Sequence, residues 1–155
     1  MIITITVSQE HLRRLETIAK ERYPAEACAL LEGNTRFVDS KSNEVACVRG
    51  IVPMRNADES VYTFRIDPNE LINAYKEISS RKLEVVGIFH SHSSEAFPSL
   101  TDRKYMELNP VVWLIYSTLS NSFAAYILDN MMIKVNLKSS SPQHSSSKRH
   151  LSSKA

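Results

Sequence analysis

The strongest constraint on the fold is a rhythm of short, β-prone apolar runs, broken by only three stretches of helical pattern. Residues 2–7 alternate apolar side chains with Thr, the period of a strand. Ser8 then stands where a helix cap is wanted, before a pattern over 9–22 that gathers Leu12, Leu15, Ile18 and Ala19 on one face. Pro24 prevents its continuation. Residues 26–33 read as a buried strand ending at Gly33. Residues 35–39 and 43–54 follow as further strands, Pro53 closing the second, and 60–66 are strongly β-prone.

The second helix announces itself with Asp67 as cap, Pro68 in the first turn and Glu70 three after the cap. It runs to about Ser80, with Leu71, Ile72, Tyr75 and Ile78 expected inside. Residues 83–90 form a buried strand, and a short helix spans about 100–108. Strands at 111–117, 122–128 and 131–137 complete the body. The last two are joined by Asp129-Asn130, a pair suited to a tight hairpin because Asn tolerates positive φ. The order β-α-β-β-β-α-β-α-β-β-β predicts an α+β domain over 1–137 with helices packed on a mixed sheet. Residues 138–155 contain eight serines and no long apolar run, and they read as a disordered, basic tail.

Composition removes several functions. The chain has three glycines, Gly33, Gly50 and Gly87, and no two of them share a short loop. Phosphate loops and dinucleotide fingerprints both need such pairs. The net charge is +2, but the tail carries Lys138, Lys148, Arg149 and Lys154 without any acid. The body is therefore slightly acidic and shows no basic face for nucleic acid. No apolar run approaches the length of a membrane helix, and the N-terminus lacks the basic flank of a signal peptide. Membrane and nucleic-acid partners are not expected, and the expected compartment is the cytoplasm. Cys28 and Cys47 lie in apolar runs without a CxxC pattern, so they read as small buried hydrophobes.

Chemistry concentrates at Gly87-Ile88-Phe89-His90-Ser91-His92 and the residues that follow. Side chains two apart on a strand share a face, so His90 and His92 are placed to converge on one metal. Asp102 opens a helix ten residues after His92, near enough to fold back as a third ligand. Two His and a carboxylate with one position left for water is the donor set of a catalytic zinc site. Each piece has a plainer alternative. His-x-His also describes two satisfied histidines, and Ser99-x-x-Asp102 is also a helix capping box. Glu26 is a candidate proton shuttle in an otherwise apolar run, although a solvent-facing carboxylate at a strand start is the commoner arrangement.

The run Tyr23-Pro24-Ala25-Glu26-Ala27-Cys28-Ala29-Leu30-Leu31-Glu32-Gly33 resembles the opening motif of the JAMM (MPN+) metalloprotease family. His90-Ser91-His92 with Ser99-x-x-Asp102 resembles that family's zinc motif. The resemblance covers roughly 1–137. Three features depart from the pattern: six residues separate His92 from Ser99 where seven are usual, Ser93 replaces a common proline, and Ala29 replaces a glycine.

The resemblance implies the JAMM/MPN (cytidine-deaminase-like) fold, with a mixed, largely antiparallel sheet flanked by helices. It implies Zn²⁺ held by His90, His92 and Asp102, with a water in the fourth position. Glu26 would be the general acid/base, and Ser99 would donate a hydrogen bond to the oxyanion. Ser91 would orient the strand end or an imidazole from behind the ligands. The implied activity is hydrolysis after the C-terminal glycine of a ubiquitin-like or sulfur-carrier-type modifier, whose extended tail would add to a sheet edge near 56–66. The alternative within the same family is a non-catalytic scaffold. Zinc-dependent nucleobase deamination needs H-x-E and P-C-x-x-C, and neither is present.

Overall fold

The computed structural model describes residues 1–140. The strands are β1 (Ile2–Ser8), β2 (Cys28–Phe37), β3 (Glu44–Met54), β4 (Glu84–His92), β5 (Val112–Ser117), β6 (Ser122–Asp129) and β7 (Met131–Ser140). The helices are α1 (Gln9–Arg22), α2 (Pro68–Ser80) and α3 (Leu100–Leu108). Each helix begins on a side-chain cap. Ser8 accepts from the His11 amide, Asp67 from the Asn69 and Glu70 amides, and Ser99 from the Asp102 amide.

The strands form one closed sheet in the order β1-β3-β2-β4-β5-β6-β7, with β7 returning to β1. The sheet is mixed as expected, but it is closed on itself, where a largely antiparallel sheet flanked by helices was expected. Junctions β1–β3, β1–β7 and β4–β5 are parallel, and the other four are antiparallel. Closure follows from the placement of β1. Its Ile2–Thr6 stretch pairs with Glu44–Cys47 on one side, and Thr4–Ser8 pairs with Asn136–Ser140 on the other. The first and last described strands thereby cover each other's edges.

Both sheet faces are buried, so the central strands are apolar without alternation. Ala29, Leu31, Phe89, Leu114 and Tyr116 face a core with Leu15 and Ala19 of α1. Cys28, Leu30, Ile88, Trp113 and Ile115 face a second core with Ala74 and Ile78 of α2 and Met106 of α3. Of the expected inner face of α2, Ile78 is buried, but Ile72 and Tyr75 are exposed and Ala74 is buried instead.

Three strand boundaries also differ. The expected runs 26–33 and 35–39 make one strand, Cys28–Phe37, instead of two, because Gly33 lies inside β2 and does not end it. A Cβ at Gly33 would sit 1.9 Å from the Cys47 carbonyl oxygen, so only glycine permits this approach of β2 to β3. The register slips here, since Glu32 pairs with Gly50 and Gly33 with Val48, which leaves Arg49 as a bulge. Pro53 lies within β3, paired with Ala29, and does not close it. The β-prone residues 60–66 form a loop and offer no strand edge. Their propensity is overridden by Asn56, whose side-chain oxygen accepts from the Asp58 and Arg65 amides and so ties the loop's two arms together. At the other end of the sheet, Asn130 takes φ 63° in the β6–β7 turn as expected. Strand β7 continues three residues past 137, and the remainder of the expected tail, 141–155, lies outside the described residues.

Candidate metal centre

The site is built where β2 and β4 lie side by side. Their antiparallel register pairs Cys28 with His90. The ladder runs one step further, since the Ser91 amide donates to the Ala27 carbonyl at 3.0 Å. With a period of two, Glu26 therefore comes opposite His92, on the face that carries Ile88 and His90. That face looks toward α3. Asp102 occupies the third position of α3, inside a capping box in which Asp102 Oδ2 accepts from the Ser99 amide at 2.9 Å and Ser99 Oγ accepts from the Asp102 amide at 3.0 Å. The capping box is present, and it also aims the carboxylate at the histidines.

Four side chains meet. His90 Nε2 and His92 Nε2 lie 2.8 Å apart, and each is 3.1 Å from Asp102 Oδ2. One donor atom from each of Glu26, His90, His92 and Asp102 falls within 4.8 Å of the others, and all four residues are buried. His92 Nδ1 lies 3.0 Å from the Glu95 carbonyl. A carbonyl can only accept, so Nδ1 carries a proton, and in the neutral ring Nε2 is left with its lone pair for a metal. Phe64 stacks on His90 with centroids 4.7 Å apart and Trp113 meets it edge-on, which together fix the ring plane.

The donor set fits a metal. Ligand atoms around a tetrahedral zinc are roughly 3.3 Å apart, close to the 2.8 and 3.1 Å separations observed. Electron-rich atoms crowded to this degree repel one another unless a metal ion or shared protons lie among them. Glu26 Oε1 is buried without any hydrogen-bond partner, as is His90 Nδ1. An orphaned buried carboxylate oxygen beside two imidazoles is expensive in a site that holds nothing.

The electrostatics separate the two carboxylates. Burial pushes Glu26 up to about 8, a shift that the nearby His92 opposes and the Asp102 charge reinforces. Burial acts on Asp102 in the same upward direction, but hydrogen bonds from His90 and His92 overcome it and hold the group well below the carboxylate range. Burial lowers His90. For His92, burial is the largest single influence and pulls down, but the bonds to Asp102 and the Glu95 carbonyl, with the charges of Asp102 and Glu26, together outweigh it, and the net shift is upward. One carboxylate is thus kept anionic and the other is poised to exchange a proton near neutrality. Burial pushes the Cys28 thiol up to about 12, which removes it as a nucleophile.

The remaining expected residues sit around these four. Ser91 points its hydroxyl toward β2, where Oγ accepts from the Ala27 amide at 2.9 Å and locks the start of the Glu26 strand to the histidine strand. Ser99 is half-buried at the rim, with its hydroxyl proton uncommitted to any protein acceptor among the described residues. The shortened 93–98 loop is anchored at its start. Ser117 Oγ donates to the Ser94 carbonyl at 2.6 Å, and the Thr118 amide donates to the His92 carbonyl at 2.9 Å. Two contributors were missed in the sequence, Phe64 and Asn56. Phe64 was hidden by the strand-like 60–66 run. Asn56-Ala57-Asp58 carries turn chemistry that could have exposed the loop. A cavity of about 120 Å³ opens beside Glu26, with Ile18, Arg22, Met54 and Asn56 among its walls.

A closed mixed sheet gathers His, His, Asp and Glu at the end of β4, the start of α3 and just ahead of β2, the arrangement expected of a JAMM-type peptidase. The chain belongs to the family of prokaryotic homologs of the JAB domain, which it matches over residues 8–128. It is 36% identical over 126 residues to a desampylase of Pyrococcus furiosus, covering 81% of each chain. It is 25% identical over 118 residues to the CysO-cysteine peptidase of Mycobacterium tuberculosis, covering 76% of this chain and 75% of the other. The solution structure of a protein from Desulfitobacterium hafniense shares the fold, with a TM-score of 0.74 at 24% identity over 91% of this chain and 96% of that one. No described helix is long and apolar enough to cross a membrane.

Proposed function

We propose that this protein is a zinc-dependent isopeptidase that hydrolyses the bond following the C-terminal glycine of a ubiquitin-like or sulfur-carrier-type modifier. The observation that carries the reading is the unpartnered Glu26 carboxylate beside His90, His92 and Asp102. His90 Nε2, His92 Nε2 and an Asp102 oxygen would hold the ion. When bound, zinc acidifies a water and polarises the scissile carbonyl. Glu26 takes the proton from the attacking water and hands it to the departing amine, a transfer suited to a carboxyl group that titrates near neutrality. The Ser99 hydroxyl donates to the carbonyl oxygen as it gains negative charge, a contribution of about 3 kcal/mol in comparable sites. Ser91 keeps the Glu26 strand in register with the ligands.

The relatives named for desampylation and for CysO-cysteine hydrolysis support this substrate class. The test is incubation with Gly-Gly-terminated modifiers joined to lysine or cysteine, with and without a zinc chelator. Release of the free modifier that stops on chelation is expected. No cleavage of any conjugate by protein carrying one zinc per chain would overturn the proposal.

A further inference from the structure

Asn56 is a buried carboxamide in the 55–67 loop, and every hydrogen-bonding position of its side chain is used. Its Nδ2 donates to the Glu26 carbonyl and to the Thr63 carbonyl, both at 3.0 Å. Its Oδ1 accepts from the Asp58 and Arg65 amides, both at 3.0 Å. A carboxamide offers two donors and an acceptor oxygen with two lone pairs, so nothing is left over. The loop closes on itself around this side chain. The Ala57 amide donates to the Arg65 carbonyl at 2.7 Å, and Ser60 Oγ accepts from the Tyr62 and Thr63 amides. The closed loop then grips Glu26 a second time, for the Glu26 amide donates to the Ser60 carbonyl at 2.8 Å. Glu26 stands just before β2 begins, so these two contacts replace the ladder that would otherwise define its backbone.

We propose that Asn56 is the positioning residue of the general base: it holds the Glu26 carbonyl directly, and the loop folded around it holds the Glu26 amide through the Ser60 carbonyl, so that the carboxylate is aimed at the histidines. Because all four of its hydrogen-bonding positions are occupied, Asn56 has none to offer a substrate. Its removal should therefore lower kcat and leave KM in place. This rests on the catalytic role proposed above for Glu26.

The test uses Asn56→Ala and Asn56→Asp in the full chain. The aspartate keeps the shape and both acceptor contacts but loses the two donors. A residue that orients a catalytic group is expected to cost about 10- to 100-fold when removed. That loss should appear in kcat on a modifier conjugate with KM unchanged. In a Glu26→Gln background the same changes should have less than about a threefold effect, since the group being aimed is already gone. Independently of activity, hydrogen exchange at the Glu26 amide should quicken at least about tenfold in both variants, while exchange at the Ser91 amide stays as in the wild type. An equal loss of kcat in the Glu26→Gln background, a rise in KM alone, or unchanged exchange at Glu26 would overturn the proposal. If the wild-type protein cleaves no conjugate, the proposed function fails, and the exchange comparison still decides the role of Asn56.

Discussion

The environment of Glu26 makes two opposite demands, which Glu26→Gln separates. The substitution preserves shape and removes the charge. If Glu26 carries the proton, kcat on a modifier conjugate falls about 10²- to 10⁴-fold. Stability moves the other way in metal-free protein. The unfolded carboxyl titrates at its ordinary value of 4.5, and the folded one at about 8. Below pH 4.5 both states are protonated and the variant gains nothing. Between 4.5 and 8 the unfolded chain releases its proton while the folded chain retains it, so wild-type stability declines as pH rises. Above 8 the full penalty is present. The upper limit is about 5 kcal/mol at 1.36 kcal/mol per unit, and water reaching the cavity beside Glu26 should reduce it to about 2 kcal/mol. For a chain of this size that is a gain of roughly 4–8 °C in Tm for the variant at pH 8, shrinking to nothing at pH 4.5. Thermal unfolding of chelator-treated protein across this range, beside a gel assay of conjugate cleavage, reads both effects. Activity within threefold of wild type, or a Tm difference independent of pH, would refute the reasoning.

Four further outcomes are expected. Asp102→Ala should reduce zinc content below one per chain and weaken zinc affinity by more than about 100-fold, measured by metal analysis after dialysis. Zinc affinity of the wild type should fall as pH drops through the range where His92 gains a proton, since proton and metal compete for Nε2, and competition with a chromogenic chelator will show whether it does. Ser91→Ala strips the buried Ala27 amide of its acceptor and should cost about 1–2 kcal/mol in urea unfolding, with a fall in kcat beyond what the loss of stability explains. Gly33→Ala drives a methyl group into the Cys47 carbonyl and should destabilise by about 3 kcal/mol or prevent folding, whereas Gly50→Ala, which meets only the Glu32 side chain, should be milder.

The histidine pair and Asp102 were legible because their placement follows from local periodicity: two residues along one strand and the first turn of a capped helix. The helices were legible for the same reason, as Ser8, Asp67 and Ser99 are caps that act within four residues. Features set by distant partners were not. Closure of the sheet depends on β1 meeting β7 across more than a hundred residues, and no local signal specifies that. The 60–66 run has the propensity of a strand but bends around a buried amide, a tertiary effect that outweighs about 1 kcal/mol of preference. Gly33 was misread as a strand end because its requirement comes from the Cys47 backbone on a neighbouring strand. The shortened 93–98 loop gave no hint of its moorings, which lie on Ser117 and Thr118 in a later element.

The pairing of β1 with β7 also sets a timetable. One edge of β1 is completed by residues 136–140, made more than a hundred residues later, so that edge stays open until nearly the whole domain has been made. Contacts of such long sequence separation slow folding, because the closing entropy is spent before the final pairing can reward it. Through that interval the alternating Ile and Thr of β1 present an unpaired template to other chains. Expression at low temperature or with chaperones should therefore raise soluble yield more than any substitution at the metal centre.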